Sequence, residues 1–189
     1  LDRFTAYAAE MLTALGLDLN TAATADTPRR YVEALVEATA GYDGDPKLFR
    51  IFDLDGPARI DVELNQVVEG PIPVFSLCEH HALPYHGHAY IGYIAHDKII
   101  GLSKLTRLVR IFGRRFSVQE RLTRQIAESV EAALDPRGVA VVLEARHLCS
   151  QMRGVRESEP STRTTSWRGA YARDPALRAE FLATCGLNQ

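Results

Sequence analysis

Apolar residues recur at helical spacing from the first position, where Leu1, Phe4, Ala8, Met11, Leu12 and Leu15 fall on one face. Gly16 supplies a stop. A second helix is predicted to open with Thr27 as N-cap and Pro28 in the first helical position. It runs to about residue 39 and ends near Gly41. Residues 47–57 carry no period and read as irregular, with Gly56-Pro57 as a turn. The period then shortens to two. Ile60, Val62, Leu64 and Gln66 share one face of a predicted strand over 59–68, and residues 86–95 alternate again.

Two amphipathic helices follow. Over 102–112 the apolar positions are Leu102, Leu105, Leu108, Val109 and Phe112, with Gly113 as terminator. Over 118–134 they are Val118, Leu122, Ile126, Val130 and Leu134. Asp135-Pro136-Arg137-Gly138 turns the chain into a strand predicted over 139–149. Residues 162–167 read as a shorter strand and 175–185 as a closing helix. This order implies an α+β fold, an antiparallel sheet with helices on one face. It divides into an N-terminal helical region, 1–45, and a main domain, 46–189. A short antiparallel sheet has edges, and edges are closed by pairing with another subunit.

Hydrophobic residues make up 46 % and charged residues 24 % of the 189, an ordinary globular balance. The apolar runs are too short to span a bilayer. A net charge of −2 argues against a general nucleic-acid binder, while leaving room for a local polyphosphate site. Three widely spaced cysteines, without a charged-then-apolar leader, predict reduced thiols in the cytoplasm.

The densest chemistry lies at 71–85. Cys78-Glu79-His80-His81 puts a thiol and an imidazole three residues apart, within reach of one tetrahedral zinc from a tight turn. Cys149 is the natural third ligand, at a predicted strand end whose alternation sets it on the face of His147. Two cysteines and one histidine leave a fourth position for water, whose pKa zinc lowers to roughly 7. His80 and His147 neighbour these ligands and are placed to move protons. Against this, Cys-x-x-His also arises by accident, and Cys149 alone reads equally as a small buried hydrophobe. His86, His88 and His96 read as strand and turn residues, and Cys185 as inert.

Ser103, Lys104 and Arg107 follow Gly101, with Lys104 and Arg107 on one helix face. They suit a phosphate or, equally, a solvated surface. Arg153 follows Cys149 by four residues. Ser117-Val118-Gln119-Glu120 has the form of a capping box, Ser-x-x-Glu before an apolar helix. Alternatively, Glu120 accepts two guanine N–H groups. Spacing alone favours the cap.

Together these stretches resemble the GTP cyclohydrolase I family. The matching text is Ser76-Leu77-Cys78-Glu79-His80-His81, Gly101-Leu102-Ser103-Lys104-Leu105 with Arg107, Val118-Gln119-Glu120-Arg121-Leu122-Thr123 and Met152-Arg153-Gly154-Val155. Thr27-Pro28-Arg29-Arg30 and Gly41-Tyr42-Asp43 also read like the family's N-terminal part. The resemblance implies a tunnelling fold assembled as a homodecamer, with sites at subunit interfaces. It implies zinc on Cys78, His81 and Cys149, and His80 and His147 as catalytic histidines. It implies guanine on Gln119 and Glu120, and ribose and triphosphate on Ser103, Lys104, Arg107 and Arg153, with Arg30 from a neighbouring subunit. The implied reaction converts GTP to 7,8-dihydroneopterin triphosphate and formate, the first step of folate and pterin biosynthesis. The alternatives are a paralogue serving a specialised pathway, such as deazapurine synthesis, and a zinc-stabilised scaffold without turnover.

Overall fold

The computed structural model describes residues 1–45, 48, 51–53 (backbone) and 66–187. Of the strand expected over 59–68, residues 66–68 are strand, while 59–65 and the Gly56-Pro57 turn lie outside the described residues. The chain forms two compact units, Leu1–Ala40 and Gly41–Gln189. The first holds α1 (Asp2–Ala14) and α2 (Thr27–Ala38). Gly16 follows α1 in a left-handed conformation, φ 97°. At α2 the N-cap is Asp26 rather than Thr27, and Pro28 occupies the first turn, where its missing N–H costs nothing.

In the second unit, β1 (Ile51–Asp53) pairs antiparallel with β4 (Lys98–Ile100). This small ribbon interrupts the stretch expected to be irregular. The main sheet contains β2 (Gln66–Cys78), β3 (Pro84–Ile94), β5 (Phe116–Ser117), β6 (Gly138–His147) and β7 (Thr162–Gly169). Its order is β5-β2-β3-β6-β7. All pairings are antiparallel except the short β2–β5 contact, where Leu77 and Cys78 face Phe116 and Ser117 in parallel. Strand β2 runs through Pro71 and Pro73, with a register shift between Glu69 and Ile72. That irregularity lets one strand carry the chain straight to Cys78.

The helices α3 (Leu102–Gly113) and α4 (Gln119–Leu134) bury their apolar stripes on one face of the sheet. Leu105, Val109, Leu122 and Ile126 meet Val74, Ile91, Val141 and Leu143 there. Full burial of each such side chain contributes about 1.5–3 kcal/mol. The alternate residues Ala140 and Val142 face the other way, onto Tyr171, Leu177 and Phe181. These belong to α6 (Ala170–Arg173) and α7 (Pro175–Thr184), a smaller cap on the second face. Cys185 packs against this cluster, and burial pushes its thiol pKa up to about 11. Where β3 meets β6, a Cβ on Gly87 would sit 1.9 Å from the Glu144 carbonyl oxygen, so only glycine allows this approach. No described helix is long and apolar enough to cross a membrane.

Candidate metal and nucleotide site

The sheet gathers the chemistry at one end. The tight loop after β2 is closed by hydrogen bonds from Cys78 N–H to Leu83 O (2.9 Å) and from Ala82 N–H to Cys78 O (2.8 Å). Ala82 takes a left-handed backbone, φ 52°. The chain thereby reverses within a few residues, turning His81 back toward Cys78. Cys149 arrives by a different route from the expected one. Strand β6 stops at His147, and Cys149 lies on the short helix α5 (Leu148–Gln151). A helical turn, not strand alternation, brings its thiol to the site.

The Cys78 and Cys149 sulfurs and a ring nitrogen of His81 all lie within 4.8 Å of one another. Ligands on a tetrahedral zinc stand about 3.5–3.8 Å apart, so a small contraction would seat an ion. Cys78 is buried, Cys149 half-buried and His81 exposed, which leaves one side open. Burial and the adjacent Cys78 thiol raise the Cys149 pKa, while Arg153 opposes the rise. A divalent cation would supply the charge two adjacent thiolates require. The donor set and its spacing therefore fit a metal.

His147 faces Tyr85 across the β3–β6 ladder, and their rings stack at 4.5 Å with planes 10° apart. Burial lowers the His147 pKa, and the Glu120 carboxylate partly offsets this. Glu120 is therefore near enough to the imidazole to act on it electrostatically. His80 Nδ1 lies 3.8 Å from the Cys78 sulfur. Glu79 is ion-paired with Arg121 of α4, tying the loop to that helix.

The capping box does not form. The N-cap of α4 is Val118, without a side-chain cap, because Ser117 is drawn into the parallel pairing with Cys78. Its Oγ lies 2.5 Å from Tyr85 Oη and 3.0 Å from Ser76 Oγ, a buried hydroxyl cluster. Glu120 stays exposed in the first turn of α4, where the helix N-terminus favours negative charge.

Gln119, in contrast, is 2 % exposed. Its NH₂ group donates to Leu143 O (2.9 Å), Thr162 O (2.8 Å) and Thr164 Oγ1 (3.1 Å). Its Oε1 lies 2.8 Å from His147 Nε2. The side chain expected to touch a ligand is thus engaged wholly within the protein.

Ser103, Lys104 and Arg107 lie in the first half of α3. The other end of that helix, at Gly113, abuts the Phe75 carbonyl near the site. At 1.5 Å rise per residue, Ser103 stands about 15 Å further along the axis. Arg107 pairs with Asp45 at 2.9 Å. Arg153 is exposed and close enough to Cys149 to lower its pKa. Arg30, in the first unit, is exposed and 3.6 Å from Asp26. The structure thus brings Cys78, His80, His81, Gln119, Glu120, His147, Cys149 and Arg153 to one end of the sheet. Ser103, Lys104 and Arg107 lie about 15, 14 and 9 Å back along the α3 axis from Gly113. Spacing gives Ser117 only a capping role and does not single out Tyr85 or Ser76, although strand alternation from Ala89 back to Tyr85 puts Tyr85 on the inner face.

An open cysteine–histidine cluster on an α+β scaffold, flanked by a half-buried histidine and an exposed carboxylate, is the arrangement a metal-dependent hydrolase uses. The family model for GTP cyclohydrolase I matches residues 4–186. GTP cyclohydrolase 1 of Dictyostelium discoideum is 44 % identical over 95 % of this chain and 75 % of its own length. That of Leptospira biflexa is 42 % identical over 92 % of both chains, and that of Mycobacteroides abscessus 45 % identical over 92 % and 83 %. Among solved structures, the apo archaeosine synthase QueF-Like is 15 % identical, covering 56 % of this chain and 93 % of its own, with TM-score 0.42. The chain belongs to the GTP cyclohydrolase I family of enzymes.

Proposed function

We propose that this chain hydrolyses GTP to 7,8-dihydroneopterin triphosphate and formate, using one zinc held by Cys78, His81 and Cys149. The observation that carries this reading is the trio within 4.8 Å, open on one side and beside His147 and Glu120. Zinc, when bound on Cys78, His81 and Cys149, would supply a nucleophilic water at neutral pH. Glu120 accepts N1–H and N2–H of guanine on its two oxygens and so fixes the base. The Gln119 side chain is occupied elsewhere, which leaves recognition of that edge to Glu120. His80 and His147 carry protons: one to N7, which makes C8 electrophilic, the other during opening of the ribose and closure of the pteridine ring.

Ser103, Lys104, Arg107, Arg153 and Arg30 hold the ribose and triphosphate. The placement of Ser103, Lys104 and Arg107 roughly 9–15 Å back along α3 from Gly113 suits a site completed by a second subunit, whose α3 approaches this chain's zinc loop. A homodecamer with sites at its interfaces is the assembly proposed. The reaction is the first of folate and pterin biosynthesis, and the enzyme is cytoplasmic.

The test is incubation with GTP, measuring nucleotide loss, formate and the fluorescent pterin formed on oxidation. Equimolar formate and pterin are expected. Conversion of GTP to GDP without formate would overturn the proposal.

A further inference from the structure

His147 can reach a reacting atom through either ring nitrogen, and which one it presents decides where protons pass. We propose that Gln119 is a positioning residue that holds His147 with its hydrogen on Nε2 and so leaves Nδ1 as the ring nitrogen that exchanges protons. The inference rests on the reading of His147 as a proton carrier in GTP hydrolysis.

The orientation of the Gln119 amide follows from its neighbours. Two of them, Leu143 O and Thr162 O, are carbonyl oxygens at 2.9 and 2.8 Å, and carbonyls only accept. The amide end between them must therefore be the NH₂ group. The other end, Oε1, is left facing His147 Nε2 at 2.8 Å, and it also only accepts. Nε2 must carry hydrogen for that contact to be a hydrogen bond. Both the neutral Nε2–H ring and the imidazolium meet this condition, so the arrangement survives each stage of proton transfer.

A closed ring of hydroxyls makes the amide rigid. Thr123 Oγ1 donates to the Gln119 backbone carbonyl at 2.9 Å. With that hydrogen committed, Thr164 donates in the 2.6 Å contact with Thr123, much shorter than its 3.5 Å contact with Leu143 O. Thr164 Oγ1 is then an acceptor for the Gln119 NH₂ group at 3.1 Å. The hydrogens all run in one direction around this ring. Tyr85, stacked at 4.5 Å, fixes the plane of the imidazole. A half-turn about the Cβ–Cγ bond would keep that plane but would set a carbon against Oε1. Gln119 therefore selects one of two otherwise equivalent ring orientations.

Solid-state nitrogen-15 spectra of histidine-labelled, metal-loaded protein test this without relying on activity. Signals of His147 are identified by their loss in His147→Gln. The expected spectrum has Nε2 protonated and Nδ1 bare in the neutral ring, giving way to a mixture in Gln119→Leu. An Nδ1–H ring in the parent, or an unchanged single form in Gln119→Leu, would overturn the proposal. Thr164→Val is the milder variant should Gln119→Leu not fold, since it removes one support of the amide and keeps the residue. Kinetics give a second reading. Gln119→Leu is expected to lower kcat about a hundredfold, the scale of a misplaced proton carrier, with KM for GTP within about threefold. A tenfold rise in KM with kcat intact would make Gln119 a base reader and overturn the positioning role. Absence of formate release by the parent would count against the proposed function and leave the spectroscopic test standing.

Discussion

Tyr85 and His147 stack face to face, with centroids 4.5 Å apart and planes within 10°. They are direct partners in the β3–β6 ladder, so the register of the sheet itself sets the imidazole. The two functions of Tyr85 are separable. Tyr85→Phe keeps the stack and removes the hydroxyl from Ser117, and should cost about 1 kcal/mol with turnover nearly intact. Tyr85→Ala removes both and leaves a cavity, costing about 3–5 kcal/mol, and should depress kcat in whatever protein folds. Denaturant unfolding together with GTP turnover reads both. A Tyr85→Phe variant as inactive as Tyr85→Ala would place the importance of the residue in its hydroxyl.

Cys149→Ala should lose stoichiometric metal, because two remaining ligands, one of them exposed, make a poor zinc site. Metal content after dialysis against a weak chelator measures this. Full occupancy with unchanged affinity would remove Cys149 from the ligand set.

Acid should weaken the protein partly through Glu144. Its ion pair with Arg163 at 2.6 Å, aided by Ser161, holds its carboxyl below the usual carboxylate range despite burial. A depressed folded pKa means the unfolded chain takes up the proton first. The contribution is therefore complete above the ordinary carboxylate pKa of about 4.3 and is lost as pH falls through the folded value. Glu144→Gln should lower the unfolding free energy at pH 7 by less than about 1 kcal/mol, because the pair is partly exposed. The gap between variant and parent should narrow as pH falls below the ordinary carboxylate range. A gap that persists there would assign the effect to packing.

Glu120→Gln separates base reading from helix capping. Since no side-chain cap is present at α4, the change should hardly move the melting temperature. It should lower kcat/KM for GTP roughly tenfold to hundredfold, because an NH₂ group would then face a donor of the base. A lower melting temperature with turnover intact would return Glu120 to a structural role.

The assembly has a physical motive in β7, last in the sheet order, whose outer edge carries no strand among the described residues. Sedimentation should give a closed oligomer, with ten copies expected. A stable, active monomer would contradict a site shared between subunits.

What was legible in the sequence was what repeats locally. Leu105, Val109, Leu122 and Ile126 declared their helices by spacing, and both helices lie where their periods put them. The approach of Cys78 and His81 followed from a three-residue separation and a turn. What was not legible was decided at a distance. Ser117-Val118-Gln119-Glu120 has every local mark of a cap, yet pairing with Cys78 and the hydroxyl of Tyr85, 32 residues away, takes Ser117 first. Gln119 spends its amide on β6 and β7, partners that no local pattern names. Strand β2 runs on past the expected end at residue 68 and absorbs Pro71 and Pro73 around a register shift. Cys149 reaches the site on α5 because β6 ends two residues earlier than alternation suggested.

On the proposed reading, the cluster of Cys78, His81 and Cys149 holds the metal on which cleavage of GTP depends. Zinc titrated into metal-free protein in the presence of GTP, with formate as the readout, tests it most directly. Formate release should be absent without metal, rise linearly and saturate at one zinc per subunit. Full formate release from protein free of metal, or none at saturating zinc, would contradict the account.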